Sequence, residues 1–386
     1  MMQQDFRYIS YAQEVIFGPG AVERLNVAVD RFGWRRVLVC ASGTALRSGQ
    51  LARVEAALGE RLAASYAPVQ PHVPGAQVDE ATDLAAERAV DAVIGLGGGS
   101  PIGLAKAVGQ ALEERRSGAP ARAAFPTDQP RVPVAAIPTT YAGSEMTAIY
   151  GVTREVDGAP RKLTATDPKV APKLVIYDPL LTLDLPPGLT AATGINALGH
   201  CVEALYSTSR HPLSTAAAIG GIRSIARALP RCYAKGSDLD ARAQMLVGAY
   251  LAGLSLASAA MGLHHGVCHV LGGSAGVPHG VANSIVLPHA MRFNRDAAAA
   301  ELALAAEALG IAREGRGDAE MAEAAAQHVF DMVGAMGLPQ RLRDAGVSRN
   351  DLPRLARLAF EGRTVHNNPR PIADAGQLEE LLRAAW

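Results

Sequence analysis

Residues 91–108 run DAVIGLGGGSPIGLAKAV, and their reading decides the fold. The stretch from Asp91 to Gly97 is short and apolar, as a strand buried on both faces should be. Gly97, Gly98 and Gly99 follow at once; Ser100 is then a good N-cap, and Pro101 suits the first helical position. A strand that turns through three glycines into a helix is the core of a βα unit. Three residues without Cβ atoms let backbone N–H groups approach an anion closely, and the helix N-terminus adds favourable partial charge. The natural ligand of such a turn is a pyrophosphate. The spacing is not that of the GxGxxG fingerprint, so a tight connection with no ligand stands as the alternative.

Working outward, the same alternation continues on both sides. RRVLVCAS and LAASYAPV read as strands, while ALRSGQLARVEAALGE and VDEATDLAAERAV carry helical periods. VPVAAIP (132–138) and KLVIYDP (173–179) read as further strands, and GVTREVDGAPRKLT between them as a hairpin. Strand and helix in turn imply a parallel sheet. Beyond LDLPPGLTAATG the chain becomes Ala- and Leu-rich, with helical periods and almost no strand signal. The expected architecture is therefore an α/β domain over 1–184 and an all-helical domain over 185–386, divided near Pro186 and Pro187.

Composition excludes several classes. With 37 Lys plus Arg against 37 Asp plus Glu in 386 residues, the net charge is zero, so no large basic face for nucleic acid is expected. Cys40, Cys201, Cys232 and Cys268 form no CxxC pair, which fits a reducing cytosol better than a disulfide framework. The opening residues lack a basic segment followed by an apolar run, so no signal peptide is expected. Val247 to Leu263 is the most apolar run; its Gly, Ala and Ser content reads as one buried helix, with no membrane partner. A cytoplasmic protein follows.

Histidine carries the second chemical signal. Five of the ten histidines fall between His264 and His289. His265 and His269 are four apart and share a helical face, and so do Asn196 and His200 in GINALGHCVEALY. His279 follows a Gly-rich break. Imidazoles converging from separate segments can build a mononuclear metal site. Here the fourth group is Asn196, and a neutral amide oxygen is a poor ligand for a transition metal. His264 and His289 read as structural.

GGGSPIGLAKA, IPTTYAGSEMT, GINALGHCVEALY, LHHGVCHVLGG, PHGVANSIVLPH and NPRPI occur in the order found in the iron-containing alcohol dehydrogenase family, which the chain resembles over nearly its whole length. The resemblance implies a nucleotide-binding α/β domain, a helical domain, an active site in the cleft between them, and a homodimer. It also implies cofactor contacts from Ser42, Gly97, Gly98, Gly99, Ser100, Thr139, Thr140 and Lys162. His200, His265 and His279 match three of the family's metal-ligand positions, while Asn196 replaces its aspartate and Gly103 another usual aspartate. With Tyr141 in PTTYAGSE, these departures are closer to the maleylacetate reductases, a branch that reduces a dicarboxylate. The expected cofactor is NADH or NADPH, without a metal. The expected catalytic set is His265 and His279 at an enolate oxygen, His269 as a proton relay, His200 and Asn196 on the substrate, and Tyr141 beside them. Arg370 reads as a capping residue. The alternatives are a metal-dependent alcohol or aldehyde dehydrogenase of the same family and a lyase on the related dehydroquinate synthase scaffold, which would need more Lys and Arg.

Overall fold

The computed structural model describes residues 6, 8–125, 128–156 and 159–386, excepting the side chains of 156, 159, 160 and 162. The chain divides into two compact units. One is Tyr8–Leu185; the other is Pro186–Trp386 together with Phe6.

The first unit is built on strands β1 (Glu14–Phe17), β2 (Val37–Ser42), β3 (Leu62–Val69), β4 (Ala92–Gly97), β5 (Val134–Pro138) and β8 (Leu174–Tyr177). They form a parallel sheet in the order β1-β8-β5-β4-β2-β3. The alternation of side chains explains why both faces are covered. Val37, Val39, Ile94, Leu96 and Ile137 enter one core with Leu25, Val29, Leu51 and Val54. Leu38, Cys40, Val93 and Val134 enter the other, with Val78, Ala81, Leu104 and Val108. The remaining strands, β6 (Ile149–Val156) and β7 (Ala159–Thr166), make the antiparallel hairpin expected from the sequence.

Three local readings are corrected. Strand β1 was not anticipated; it is four residues long and gains its place by pairing with β8, Glu14 opposite Leu174. The stretch read as one helix after β2 is two, Gly43–Arg47 and Gln50–Leu58, because Gly49 takes a left-handed conformation (φ 76°) between them. The helix after β4 starts two residues earlier than Ser100 would set it: it spans Gly99–Ser117 with Gly98 as N-cap.

The second unit is helical throughout, as its composition demands. Its site-bearing helices are Pro187–Tyr206, Leu263–Ala275 and His279–Asn294. The apolar run Val247–Leu263 is not one helix. Leu239–Ser258 ends at Ser258, and Leu263–Ala275 begins after a 99° bend. Gly262 sits at that bend with the Asn367 carbonyl only 2.8 Å from where a Cβ would lie, so the turn there requires glycine. Among the described residues no single helix is long and apolar enough to cross a membrane; that bent pair passes on length and composition only jointly.

Candidate active site

In the α/β unit, strand order places the candidate nucleotide residues. The chain passes from β2 to β3 on one side and returns to β4 on the other, so the direction of winding reverses between β2 and β4. Ligands of open parallel sheets bind beyond the carboxyl ends of the strands at such a reversal. Ser42 ends β2 and Gly97 ends β4. They are close enough that a Cβ on Gly97 would lie 3.0 Å from Ser42 Oγ, and Gly97 has φ +136°, which only glycine adopts readily. Ser42 itself caps the following helix, its Oγ accepting from Ala45 N at 3.1 Å. Thr139 N donates to Gly97 O at 3.0 Å, and Thr140 Oγ1 lies 3.1 Å from a Cβ built on Gly98. Seven of the eight expected cofactor residues are thus gathered around one turn. Lys162 lies in β7, but its side chain is outside the described residues.

Two buried charged residues lie on neighbouring elements. Lys106, on the helix Gly99–Ser117, donates to Ser144 O at 2.6 Å, Ile149 O at 3.0 Å and Thr147 Oγ1 at 3.2 Å. Burial brings its ammonium down to about 7, against the opposing pull of Glu145. Glu145 is fully buried and accepts from Tyr177 Oη at 2.9 Å; burial raises its carboxyl. Tyr141, next to Thr140 in the chain, is fully buried.

In the helical unit the histidines do converge. Helix Pro187–Tyr206 brings Asn196 and His200 onto one face, helix Leu263–Ala275 supplies His264, His265 and His269, and His279 opens the next helix. Glycines permit these approaches: a Cβ on Gly199 would lie 2.6 Å from His264 Cε1, and one on Gly280 only 2.8 Å from Ala192 Cβ. The His200 and His265 rings stack with centroids 4.5 Å apart. His265 lies 6.3 Å from His269 and 6.2 Å from His279, which stack on each other at 5.9 Å. Asn196, His200 and His265 are buried, while His269 and His279 are exposed. The cluster therefore runs from the interior to solvent.

Sequence reasoning missed Glu203. It stands on the same helix face as Asn196 and His200 and is 1% exposed. Its Oε1 accepts the backbone N–H groups of Gly262 and His264, both at 3.0 Å, and its Oε2 accepts that of His265 at 3.2 Å. Oε2 also bonds His265 Nδ1. Burial alone would raise this carboxyl, but the rings of His265 and His264 outweigh it and hold it well below the usual carboxylate range. The available signal was a carboxylate three residues after His200 inside a buried apolar helix. Burial first, then the neighbouring rings of His265, His279 and His264, hold His200 well below its ordinary value.

Four polar atoms of this cluster are buried without a hydrogen-bond partner: Asn196 Oδ1, His200 Nδ1, His264 Nδ1 and His265 Nε2. Such atoms cost stability unless a ligand or an ordered water serves them. The remaining expectations are structural. His264 is fully buried with Nε2 3.3 Å from Asn283 O, His289 packs edge-on against Phe330, and Arg370 donates to Phe293 O at the end of helix His279–Asn294.

Comparison with known proteins agrees across both units. The model of the iron-containing alcohol dehydrogenases matches residues 12–179, and that of the C-terminal part of the Fe-containing alcohol dehydrogenase family matches 190–386. Maleylacetate reductase 1 of Cupriavidus pinatubonensis is 37% identical over 96% of this chain and 94% of that protein. The maleylacetate reductase of Burkholderia cepacia is 37% identical over 99% and 97%. The crystal structure of maleylacetate reductase from Agrobacterium tumefaciens superimposes with a TM-score of 0.84 at 32% identity, covering 100% of this chain and 99% of that one.

Proposed function

Since the chain belongs to the iron-containing alcohol dehydrogenase family, we propose that it reduces the carbon–carbon double bond of maleylacetate with NADH or NADPH, giving 3-oxoadipate. The observation that carries this reading is the cluster of Asn196, His200 and His265, each with a buried polar atom that has no protein partner.

Maleylacetate is a 4-oxo-2-enedioate. Hydride from the nicotinamide adds to the alkene carbon remote from the ketone, the π electrons move toward the carbonyl, and negative charge collects on the ketone oxygen as an enolate. Protonation of the adjacent carbon completes the reduction, so one hydride and one proton are consumed. The protein's task is to stabilise the oxyanion and deliver the proton. His279 and, once its Nε2 carries a proton, His265 donate hydrogen bonds toward the enolate oxygen, which is the interaction that strengthens in the transition state. His269 is exposed and within ring contact of both, so it relays protons from solvent. Asn196 and His200 hold the substrate. The glycine turn at the β2–β4 reversal holds the dinucleotide, its N–H groups facing the phosphates. Ser42 presents no carboxylate to repel a 2′-phosphate, so both nucleotides are accepted.

The family name implies iron, and the residues here do not fit it. Asn196 supplies no anionic oxygen, and the carboxylate nearby, Glu203, has its four hydrogen bonds committed. Among the described residues, the group whose ligand-type atoms lie within 4.8 Å of one another is Glu203, His264 and His265, and it does not include His200 or His279. We therefore assign the polarisation of the ketone to imidazoles. We also propose that the enzyme acts in the cytosol as a homodimer, as the family resemblance implies.

The test is NADH absorbance with maleylacetate, alongside a panel of simple alcohols with NAD. Oxidation of NADH by maleylacetate, with little alcohol-dependent reduction of NAD, supports the reading. The reverse pattern contradicts it and favours the alcohol dehydrogenase alternative.

A further inference from the structure

We infer that Glu203 is a positioning residue for the reaction, fixing the orientation and tautomer of His265 from behind while touching no substrate. The inference rests on the assignment of His265 to the enolate oxygen.

Its basis is how the two elements meet. Glu203 comes from helix Pro187–Tyr206, yet its carboxylate sits across the N-terminus of helix Leu263–Ala275 and accepts the N–H groups of Gly262, His264 and His265. The first turn of a helix has N–H groups without intrahelical partners, and this turn follows a 99° bend that leaves no preceding helix to satisfy them. A side chain 59 to 62 residues distant therefore does the work of a local cap. The same oxygen that takes the His265 N–H also bonds His265 Nδ1. Main chain and ring of one residue are gripped by one carboxylate.

A carboxylate only accepts, so Nδ1 must carry the hydrogen. The neutral ring then has its lone pair on Nε2, the atom that is buried without a protein partner. When Nε2 takes up a proton it becomes a donor, with the anionic Glu203 on the far side of the ring to balance the charge. Glu203 cannot serve as the acid itself. It is 1% exposed, and both its oxygens are occupied on the side facing the helix end and the ring.

Glu203→Gln tests this, because glutamine keeps the size and exchanges one acceptor for a donor. The amide can hold its oxygen against Gly262 and His264 while its NH₂ faces His265, giving up the one bond from the His265 N–H; the opposite orientation would set NH₂ against two N–H groups. In the favoured orientation the NH₂ donates to Nδ1 and drives the ring hydrogen to Nε2. The readout is a long-range ¹⁵N–¹H correlation spectrum of histidine-labelled whole enzyme, with His265 assigned from His265→Gln. Expected are an Nδ1–H tautomer for neutral His265 in the wild type and an Nε2–H tautomer in Glu203→Gln. With it, kcat should fall by about 10–100-fold, the usual range for loss of a histidine's orienting partner, with KM little changed. Glu203→Asp, which keeps the charge, should retain the Nδ1–H tautomer and recover part of kcat. The wild-type spectrum needs no variant to fold: an Nε2–H tautomer there overturns the inference, and so does a Glu203→Gln enzyme with unchanged kcat. An Nδ1–H tautomer in an enzyme that does not reduce maleylacetate would uphold the positioning by Glu203 and overturn the reaction assignment instead.

Discussion

Replacing Gly99 by alanine separates a turn built to hold an anion from one that only joins a strand to a helix. A Cβ at Gly99 would meet nothing nearer than Ala142 Cβ at 4.0 Å, an ordinary contact, and the residue is exposed. Alanine in place of glycine at a helical position stabilises by up to about 1 kcal/mol, so Tm should hold steady or rise slightly. If a pyrophosphate lies against the N–H groups of this turn, the added methyl pushes it off. Loss of one hydrogen bond to a charged group is worth about 1.5–3 kcal/mol, or roughly 10–100-fold in Kd for NADH. Gly95→Ala is the counter-example. Its Cβ would lie 2.6 Å from Ile102 Cα and 2.9 Å from Ile102 N and Pro101 O, all backbone atoms that must retreat. Overpacking of that kind costs about 1–3 kcal/mol and should lower Tm by several degrees. Calorimetric titration with NADH and a thermal melt on both variants read the two effects. Unchanged affinity in Gly99→Ala, with Tm also unchanged, would refute the anion-binding turn.

The remaining expectations concern the histidines and the cofactor. His265→Ala and His279→Ala should each lower kcat by about 10²–10³ while nucleotide affinity is kept, and His289→Ala should be nearly silent in steady-state kinetics. Effects confined to KM, or a dominant loss at His289, would show the site to be misassigned. Burial first, then Arg292 and Arg341, bring His289 down to about 4, so the unfolded chain binds more protons than the folded one between pH 4 and its ordinary 6.5. Stability therefore rises with pH across that window; denaturant titrations should show His289→Gln flattening this rise by an amount on the order of 2–3 kcal/mol. NADPH should support turnover as well as NADH, measured as kcat/KM for each, and a strict preference for NADH would place the discrimination away from Ser42.

How much of this was legible in the sequence depends on the range of the forces concerned. The strands β2, β4, β5 and β8 announced themselves because burial on both faces demands uninterrupted apolar runs, and all four are buried almost throughout. β1 was not legible, since its four residues are only partly buried and owe their conformation to the neighbouring β8. The end of the helix at Ser258 was hidden for a related reason: the run is equally apolar before and after the bend, and the close approach of Asn367 to Gly262 is a tertiary fact. In the site, His200, His265, His269 and His279 stood out by residue type and spacing. Glu203 did not, because its meaning lies in N–H groups some sixty residues away. The N-cap was misplaced at Ser100 since three glycines in a row allow the chain to start winding at Gly99.

The central claim is that imidazoles, with no metal, stabilise the charge formed when hydride adds to maleylacetate. It is tested most directly by treating the purified enzyme with a strong chelator, measuring its residual iron and zinc, and following NADH oxidation by maleylacetate. The account predicts undiminished turnover at negligible metal content, with Asn196→Asp gaining metal affinity because it restores an anionic oxygen beside the histidines. Activity that disappears with the metal and returns when iron or zinc is added back would contradict it.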